Sequence, residues 1–246
     1  MKTGEARALG NRIAARVADG QVEAAYALLA PVLAERTPFR LLGIIGATAG
    51  AEPLAPVNAF LERVAAGRTE GGWVVIGCAL QKQLDRDFAG AFEHCRRWII
   101  AGDVWYTADI LGERVPGPAL VTDLERSLAY LAPWREDANR WVRRAVGVAA
   151  HFWAKRSQGA AELRPRAQAL LELLEPMFGE WEMDAAKGIG WGLKTMGKHY
   201  PDQVADWLRK DVVPHQRRHR ALVLRKALTY LTEAQRDRAT ESGSEN

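Results

Sequence analysis

Cysteine is scarce in this chain. Of 246 residues only Cys78 and Cys95 are cysteines, and neither has a second cysteine at CxxC spacing. Disulfide scaffolds and structural zinc sites need more cysteines, at shorter spacings along the sequence. We therefore expect both thiols to be free and buried in a reducing compartment. No metal and no cofactor are expected, because His215 and His219 stand four residues apart without a further ligand at metal-site spacing.

Long apolar runs are also missing. No stretch approaches the ~20 consecutive apolar residues needed to cross a bilayer. The N-terminal segment scatters charges among its apolar residues and lacks the uninterrupted core of a secretory signal. There is no P-loop, no dinucleotide-binding fingerprint and no GxSxG elbow. These absences predict a cytoplasmic protein without membrane contact, and they speak against the enzyme classes that those motifs mark.

Alternating β-branched runs are absent, and apolar residues instead recur three and four positions apart, which is the helix period. Ala, Leu, Arg and Glu, all good helix formers, dominate the composition. Glycine and proline interrupt the pattern at regular intervals. The predicted helices cover residues 5–18, 21–35, 54–66, 71–84, 88–101, 104–111, 120–131, 139–155, 165–175, 184–198, 201–210 and 219–231.

Three stretches resemble one another at a spacing of roughly 40 residues, as HEAT repeats do. They are DVWYTADILGERV, ANRWVRRAVGVAAHFW and AAKGIGWGLKTMGKHYPDQV, and each places a Trp near a helix start with small residues after it. We predict an all-α fold, an α-solenoid of antiparallel HEAT-like helical repeats with a basic concave face. A single repeat domain is expected over residues 1–238, followed by a polar, disordered tail at 239–246.

Trp105 and Asp109 lie four residues apart on one predicted helix, so they share a face. A Trp in a helical protein is usually a core residue, and an Asp one turn away is usually solvated. On an exposed face, however, the pair would place a flat π surface beside a negative charge. Such an arrangement stabilises a cation.

Two further segments carry candidate phosphate-binding residues. Arg143 and Arg144 stand near a predicted helix start, where arginines either bind phosphate or form an ordinary solvated face. Trp191 is surrounded by three glycines: Gly188, Gly190 and Gly192. Because glycine weakens a helix, three on one turn indicate the close approach of another backbone. That backbone is either a neighbouring helix or a strand of nucleic acid.

Basic residues accumulate toward the C-terminus of a chain whose formal net charge is +4. The basic set is Lys187, Lys194, Lys198, Arg209, Lys210, Arg217, Arg218, Arg220, Arg225 and Lys226. Over the same span the acidic residues are Asp202, Asp206 and Asp211. This excess predicts a phosphate-binding surface, with an ordinary soluble surface as the alternative.

At these residues the sequence resembles the AlkD-type DNA alkylation repair glycosylases, which are built from HEAT-like repeats. WYTAD, from Trp105 to Asp109, resembles the family's Trp-x-x-x-Asp catalytic helix. NRWVRRAVG resembles its Asn-x-Trp-x-x-Arg-Ala segment and puts Arg144 on the functional arginine. KGIGWGLKTMGKHYPDQV resembles its Lys-x-Ile-Gly-Trp-x-Leu-Arg segment and puts Trp191 on the second functional tryptophan. The three matches keep the family's order and separation and span about 73–226.

The chain departs from this family in three places. LLGI at residues 41–44 keeps part of an aromatic-Leu-Gly-Ile stretch, but the following IGATAGAEP lacks the family's basic, Pro-containing run. Tyr106 replaces a common acidic residue, and Lys194 stands where Arg is frequent. Some relatives in this superfamily have lost catalysis. A non-catalytic HEAT-like scaffold that binds DNA or protein, and a purely protein-binding α-solenoid, are therefore the alternatives.

The resemblance implies a DNA glycosylase that removes N3- or N7-alkylated purines, such as 3-methyladenine and 7-methylguanine, from duplex DNA. These purines are cationic and leave without a strong general acid, so the enzyme mainly stabilises an oxocarbenium-like sugar. Asp109 would supply negative charge and orient a water molecule. Trp105 and Trp191 would face the deoxyribose and offer cation–π stabilisation.

The same resemblance implies how the DNA is held. Arg144 would bind a phosphate beside the lesion, and Arg143, Lys187 and Lys194 are the further candidates for phosphate contacts. The damaged base would not be read in a tight pocket, unlike in most base-flipping enzymes. The predicted partner is double-stranded DNA with alkylated bases, and we expect the protein to act as a monomer.

Overall fold

The computed structural model describes residues 1–216 and 218–240. Every regular element in these ranges is a helix, so the all-α prediction is confirmed. None of these helices is both long and apolar enough to cross a membrane. The chain falls into two compact units, of which the first spans Met1–Val115 and the second begins at Pro116.

The first unit consists of seven α-helices in two layers. Helices α1, α3, α5 and α7 pack side by side in one layer, and α2, α4 and α6 pack against it. Short connections make successive helices antiparallel, as in HEAT-like repeats. The bounds are α1 Thr3–Ala18, α2 Val22–Ala34, α3 Phe39–Ala49, α4 Leu54–Ala66, α5 Glu70–Gln83, α6 Phe88–Gly102 and α7 Trp105–Arg114.

The second unit repeats this two-layer arrangement. Helices α8, α10, α12 and α14 form one row of neighbours, and α9, α11, α13 and α15 form the other. The bounds are α8 Pro116–Thr122, α9 Leu124–Leu131, α10 Arg140–Ser157, α11 Arg164–Leu174, α12 Met183–His199, α13 Pro201–Trp207, α14 Ala221–Ala227 and α15 Glu233–Thr240. Of the predicted tail at 239–246, residues 239 and 240 belong to α15, and 241–246 lie outside the described residues.

Two polar contacts between successive repeats join residues that are 40 positions apart. In the first unit, Arg63 Nε donates to Glu23 Oε1 at 2.9 Å. In the second, Arg144 Nη1 donates to the carbonyl oxygen of Asp184 at 2.9 Å. Because corresponding regions of neighbouring repeats meet, a stack of repeats brings together residues that are about one repeat length apart. The offset agrees with the HEAT-like spacing predicted from the sequence.

Helix α3 lies where the sequence pattern predicts no helix. Its glycines weaken the helical signal, but they also let its backbone approach its neighbours. A Cβ atom on Gly46 would collide with the backbone of Val75 in α5, and one on Gly10 of α1 would lie 3.1 Å from Thr48. Tertiary packing therefore overrides local propensity. The segment that lacks the basic run of the resembled family, residues 45–53, is formed by the end of α3, which packs against α1 and α5, and by the turn that follows it.

A second difference concerns residues 116–131, where the pattern predicts a break at Pro116 and one helix over 120–131. Instead α8 begins at Pro116 itself and a separate helix, α9, follows at Leu124. Proline is well tolerated in the first turn of a helix because its missing N–H would have no partner there. The Asp123 carboxylate accepts from the N–H of Arg126 at 3.2 Å and caps the start of α9.

The glycines around Trp191 pack against neighbouring helices. A Cβ atom on Gly188 would lie 2.6 Å from the carbonyl oxygen of Arg144 in α10, and one on Gly192 would lie 2.6 Å from that of Gly147. A Cβ atom on Gly190 would lie 3.1 Å from the Lys226 side chain in α14. The approaching backbone is therefore a helix, and the interpretation of these glycines as a nucleic-acid contact is wrong.

Both cysteines are free thiols, as predicted, but they differ in exposure. Cys95 is completely buried, and this burial raises the pKa of its thiol. Cys78 is only partly buried, and its pKa is also raised by burial, although the nearby Arg114 guanidinium opposes the shift. Neither thiol is therefore activated as a nucleophile.

Candidate functional site

The turn between α6 and α7 determines where Trp105 stands. Asp103 adopts the left-handed conformation with φ of 47°. Gly102 leaves room for Thr107, because a Cβ atom on Gly102 would lie 2.7 Å from the Thr107 hydroxyl. Trp105 is the first residue of α7, and 54% of its surface is exposed. The indole is therefore presented to solvent by a compact turn and is not part of the core.

Asp109 follows Trp105 by one helical turn and is half-buried on the same face of α7. The Tyr106 ring meets the Trp105 indole edge-on, with ring centroids 5.7 Å apart. The opposite face of α7 is buried through Ile110 and Leu111. One face of this helix thus carries an exposed indole, a flanking phenol ring and a carboxylate.

Trp191 lies in the middle of α12 and is half-buried. Its indole stacks on the imidazole of His151, with centroids 3.9 Å apart and an angle of 24° between the ring planes. The prediction that this Trp stands near a helix start is wrong. The Trp that precedes α12 is Trp181, which is 46% exposed. Trp181 is therefore the exposed Trp near the start of α12, although it precedes the helix, whereas Trp105 is the first residue of α7.

A short hydrogen-bond chain holds the His151 ring. Its Nδ1 lies 2.7 Å from Thr195 Oγ1, which itself donates to the Trp191 carbonyl oxygen at 3.1 Å. Because the hydroxyl proton is used in that second bond, Nδ1 acts as the donor to Thr195. Burial, together with the smaller effect of the Lys155 and His199 charges, lowers the pKa of His151 to about 4. The imidazole beneath Trp191 is therefore neutral near pH 7.

Sequence reasoning missed this role of His151. His151 precedes Trp191 by 40 residues along the chain, which is the same offset as in the Arg144–Asp184 contact. That offset was the signal that could have found it. Once α10 and α12 are recognised as successive members of one layer, residues 40 positions apart become candidate neighbours.

The two adjacent arginines of α10 have different environments. Arg143 is held by Glu180, with 2.6 Å between Nε and Oε2, and it also donates to the Asp137 carbonyl oxygen at 2.6 Å. Arg144 is 8% exposed, its stem lies against Gly188, and its guanidinium bonds the first turn of α12. Arg143 thus serves local structure, and the Arg144 guanidinium lies at the start of α12.

Positive side chains accompany Trp191 along α12. Four residues at spacings of four, three and four share one face of this helix: Lys187, Trp191, Lys194 and Lys198. The ammonium groups of Lys194 and Lys198 lie 5.4 and 5.9 Å from the ring centroid of Tyr230, an exposed residue. Lys187 is paired at 3.8 Å with Asp184. The structure therefore brings two predicted phosphate contacts, Lys187 and Lys194, onto the face that carries Trp191.

Two of the acidic residues in the basic C-terminal region are already paired. Arg238 of α15 lies 2.8 Å from Asp202 and 3.4 Å from Asp206. The hydrogen bond from Arg238 lowers the pKa of Asp202. These carboxylates are therefore paired with a residue outside the predicted basic set. Arg217 of that set lies outside the described residues.

A family model described as DNA alkylation repair enzyme matches residues 64–231. The match covers more than half of the chain and includes the whole of α7, α10 and α12. No curated protein and no solved structure matches the chain.

Proposed function

The chain belongs to the DNA alkylation repair enzyme family, and from this premise we propose that it is a DNA glycosylase acting on cationic N3- or N7-alkylated purines in duplex DNA. The reaction is hydrolysis of the N-glycosidic bond. The bond between C1′ and the purine nitrogen breaks, and its electron pair neutralises the cationic base. Water then adds to C1′ and loses a proton.

The observation that carries this proposal is the exposed face of α7. An indole that is 54% exposed stands one helical turn from a carboxylate. Burying an indole in the core normally stabilises a protein, so an exposed indole beside a negative charge fits recognition of a cation. The oxocarbenium-like sugar of a departing purine is such a cation.

In this proposal Asp109 faces C1′ of the damaged nucleotide. Its negative charge stabilises the sugar cation, and its second oxygen orients the attacking water and accepts the proton. Trp105 adds cation–π stabilisation of about 0.5–2 kcal/mol. No strong general acid is required because the alkylated purine already carries the positive charge that makes it a good leaving group.

The second unit would bind the DNA strand. Trp191 has one face covered by His151, which leaves its remaining exposed surface for a deoxyribose of the bound strand. Arg144 at the start of α12, with Lys187 and Lys194 along that helix, would contact backbone phosphates. Arg143 is not included among these contacts, since Glu180 and the Asp137 carbonyl already occupy its guanidinium.

Replacing the carboxylate tests the reaction directly. We expect Asp109→Asn to abolish release of 7-methylguanine from methylated duplex DNA, while duplex binding stays within about twofold of wild type, because only the charge at the sugar is lost. Asp85→Asn is the matched control, since Asp85 is an exposed carboxylate of the same unit. Base release is measured under single-turnover conditions for both variants and wild type.

Undiminished release by Asp109→Asn would exclude the assigned role of this carboxylate. A wild-type protein that binds duplex DNA but releases no base would instead be a non-catalytic scaffold. The departure from the resembled family at residues 45–53, where the basic run is missing, is the observation that favours this second function.

A further inference from the structure

Trp181 is the centre of a cluster outside the residues assigned so far. It lies between the short helix Glu175–Gly179 and α12, and 46% of its surface is exposed. The guanidinium carbon of Arg218 lies 3.9 Å from the centroid of its ring, and that of Arg220 lies 4.8 Å away. Arg220 Nε also donates to the Trp181 carbonyl oxygen. Trp181 therefore holds two guanidinium groups in place.

These two positive charges have no acidic partner among the described residues: no carboxylate there lies within ion-pair distance of Arg218 or Arg220. Glu180, the neighbour of Trp181, is bonded to Arg143. Two guanidinium groups beside one ring repel each other, and the negative face of the indole offsets only part of that repulsion. An anion bound between the two guanidinium groups would offset the repulsion that the indole leaves uncompensated.

The start of α12 adds to this positive potential. Helix α12 has 17 residues and begins two positions after Trp181, and its N-cap residue Glu182 makes no side-chain capping bond. The first N–H groups of a helix carry partial positive charge and favour anions. Asp184 in the first turn is already paired with Arg140 at 3.4 Å and with Lys187 at 3.8 Å.

We propose that Trp181, Arg218 and Arg220 form a phosphate clamp for the backbone of duplex DNA at the start of α12. This inference rests on the proposed function for its ligand. Planar guanidinium groups bind phosphate oxygens in pairs, and their stacking on an indole reduces the entropy lost when they do so. The clamp adds two arginines to the phosphate contacts proposed for Arg144 and Lys187, and it carries no sequence specificity.

The test measures the affinity of the full chain for an undamaged duplex over a range of salt concentrations. Arg218→Ala and Arg220→Ala should each weaken binding about fivefold or more and reduce the slope of log K against log salt by about one. Arg166→Ala removes an equal charge from exposed Arg166 of α11 in the same unit and should leave both quantities unchanged. If all three variants have the same duplex affinity and the same salt slope, the clamp is overturned.

Trp181 variants separate the clamp from a general effect of charge. Trp181→Leu leaves the net charge unchanged and should still weaken binding about fivefold, because the guanidinium groups lose the ring on which they stack. Trp181→Phe retains a ring and should recover most of that affinity. Wild-type affinity in folded Trp181→Leu, checked by thermal unfolding, would overturn the role of the ring.

Release of 7-methylguanine, measured in the same samples, distinguishes failure of the clamp from failure of the reaction. If wild type releases no base but the clamp variants lose duplex affinity, the proposed reaction fails and the clamp stands. If wild type releases base and the clamp variants bind as Arg166→Ala does, the clamp fails and the reaction stands.

Discussion

The imidazole of His151 shows how one buried side chain prepares a neighbouring aromatic surface. Trp191 lies face to face on it at 3.9 Å, and Thr195 holds it through Nδ1. A neutral imidazole leaves the π electrons of the indole available to a cation on its other side, whereas a protonated one would compete for them. The lowered pKa of His151 keeps the ring in the neutral form at physiological pH.

The same shift predicts how stability depends on pH. The pKa of His151 is about 4 in the folded protein against an ordinary value of 6.5, so the unfolded chain takes up the proton first as pH falls. This group therefore contributes a loss of stability between pH 6.5 and about 4, at up to about 1.4 kcal/mol per pH unit. The free energy of unfolding, measured by urea denaturation above and below pH 6.5, tests this dependence.

His151→Gln lacks this titration, so it should lose less stability than wild type over that range. His215→Gln, at an exposed histidine, should retain the wild-type dependence. His94 and His199 also have pKa values lowered mainly by burial, and they account for acid sensitivity that remains in the variant. Identical pH profiles for wild type and His151→Gln would contradict the burial argument.

At the scale of elements, the contact between α10 and α12 brings the two backbones together at its glycines, beside the side-chain stack of His151 on Trp191. Across this contact a Cβ atom on Gly147 would meet the backbone of Gly188, and one on Gly192 would meet the backbone of Gly147. A Cβ atom on Gly188 would meet the side-chain stem and the backbone of Arg144. Helices that approach so closely leave no room for a methyl group. The same approach brings Arg144 to the first turn of α12, so packing and the positioning of a predicted phosphate contact depend on one another.

A methyl group at this contact should therefore be costly. Gly188→Ala would place Cβ 2.6 Å from the Arg144 carbonyl oxygen, and we expect the free energy of unfolding to fall by about 1–3 kcal/mol despite the better helix propensity of alanine. Gly4→Ala in α1 is the control, since no atom beyond the backbone of its own helical turn lies within 4 Å of the added methyl group, and the stability of this variant should stay equal or rise slightly. Denaturant unfolding of both variants decides the comparison, and equal stabilities would refute the packing argument.

For the whole molecule, a formal net charge of +4 is too small to identify a nucleic-acid-binding protein. The distribution of the charge is more informative. In the second unit, lysines follow one face of α12, and Arg218 and Arg220 stand at its start without a carboxylate partner among the described residues. The basic concave face and the single-domain organisation stay predictions.

This distribution predicts that duplex affinity depends strongly on salt. Log K for undamaged DNA should fall linearly with log salt, with a slope of about −0.9 for each phosphate contact, because bound phosphates release their counterions. A slope of about −4 to −5 is expected if all five proposed contacts form. These contacts are Arg144, Lys187, Lys194, Arg218 and Arg220. A flat dependence, or no measurable affinity, would instead indicate a solenoid that binds only protein.

Local patterns in the chain were sufficient for the helical class, the 40-residue spacing, the family motifs and the pairing of Trp105 with Asp109 on one face. The helical class and the Trp105–Asp109 pairing depend only on neighbours within about four residues, and the spacing and the motifs depend only on the order of residues along the chain. Four features could not be obtained in this way. They are the position of α3, the ion pair of Arg143 with Glu180, the stack of His151 on Trp191 and the clamp around Trp181. Each depends on contacts between separate helices, which arise only when the repeats pack against one another.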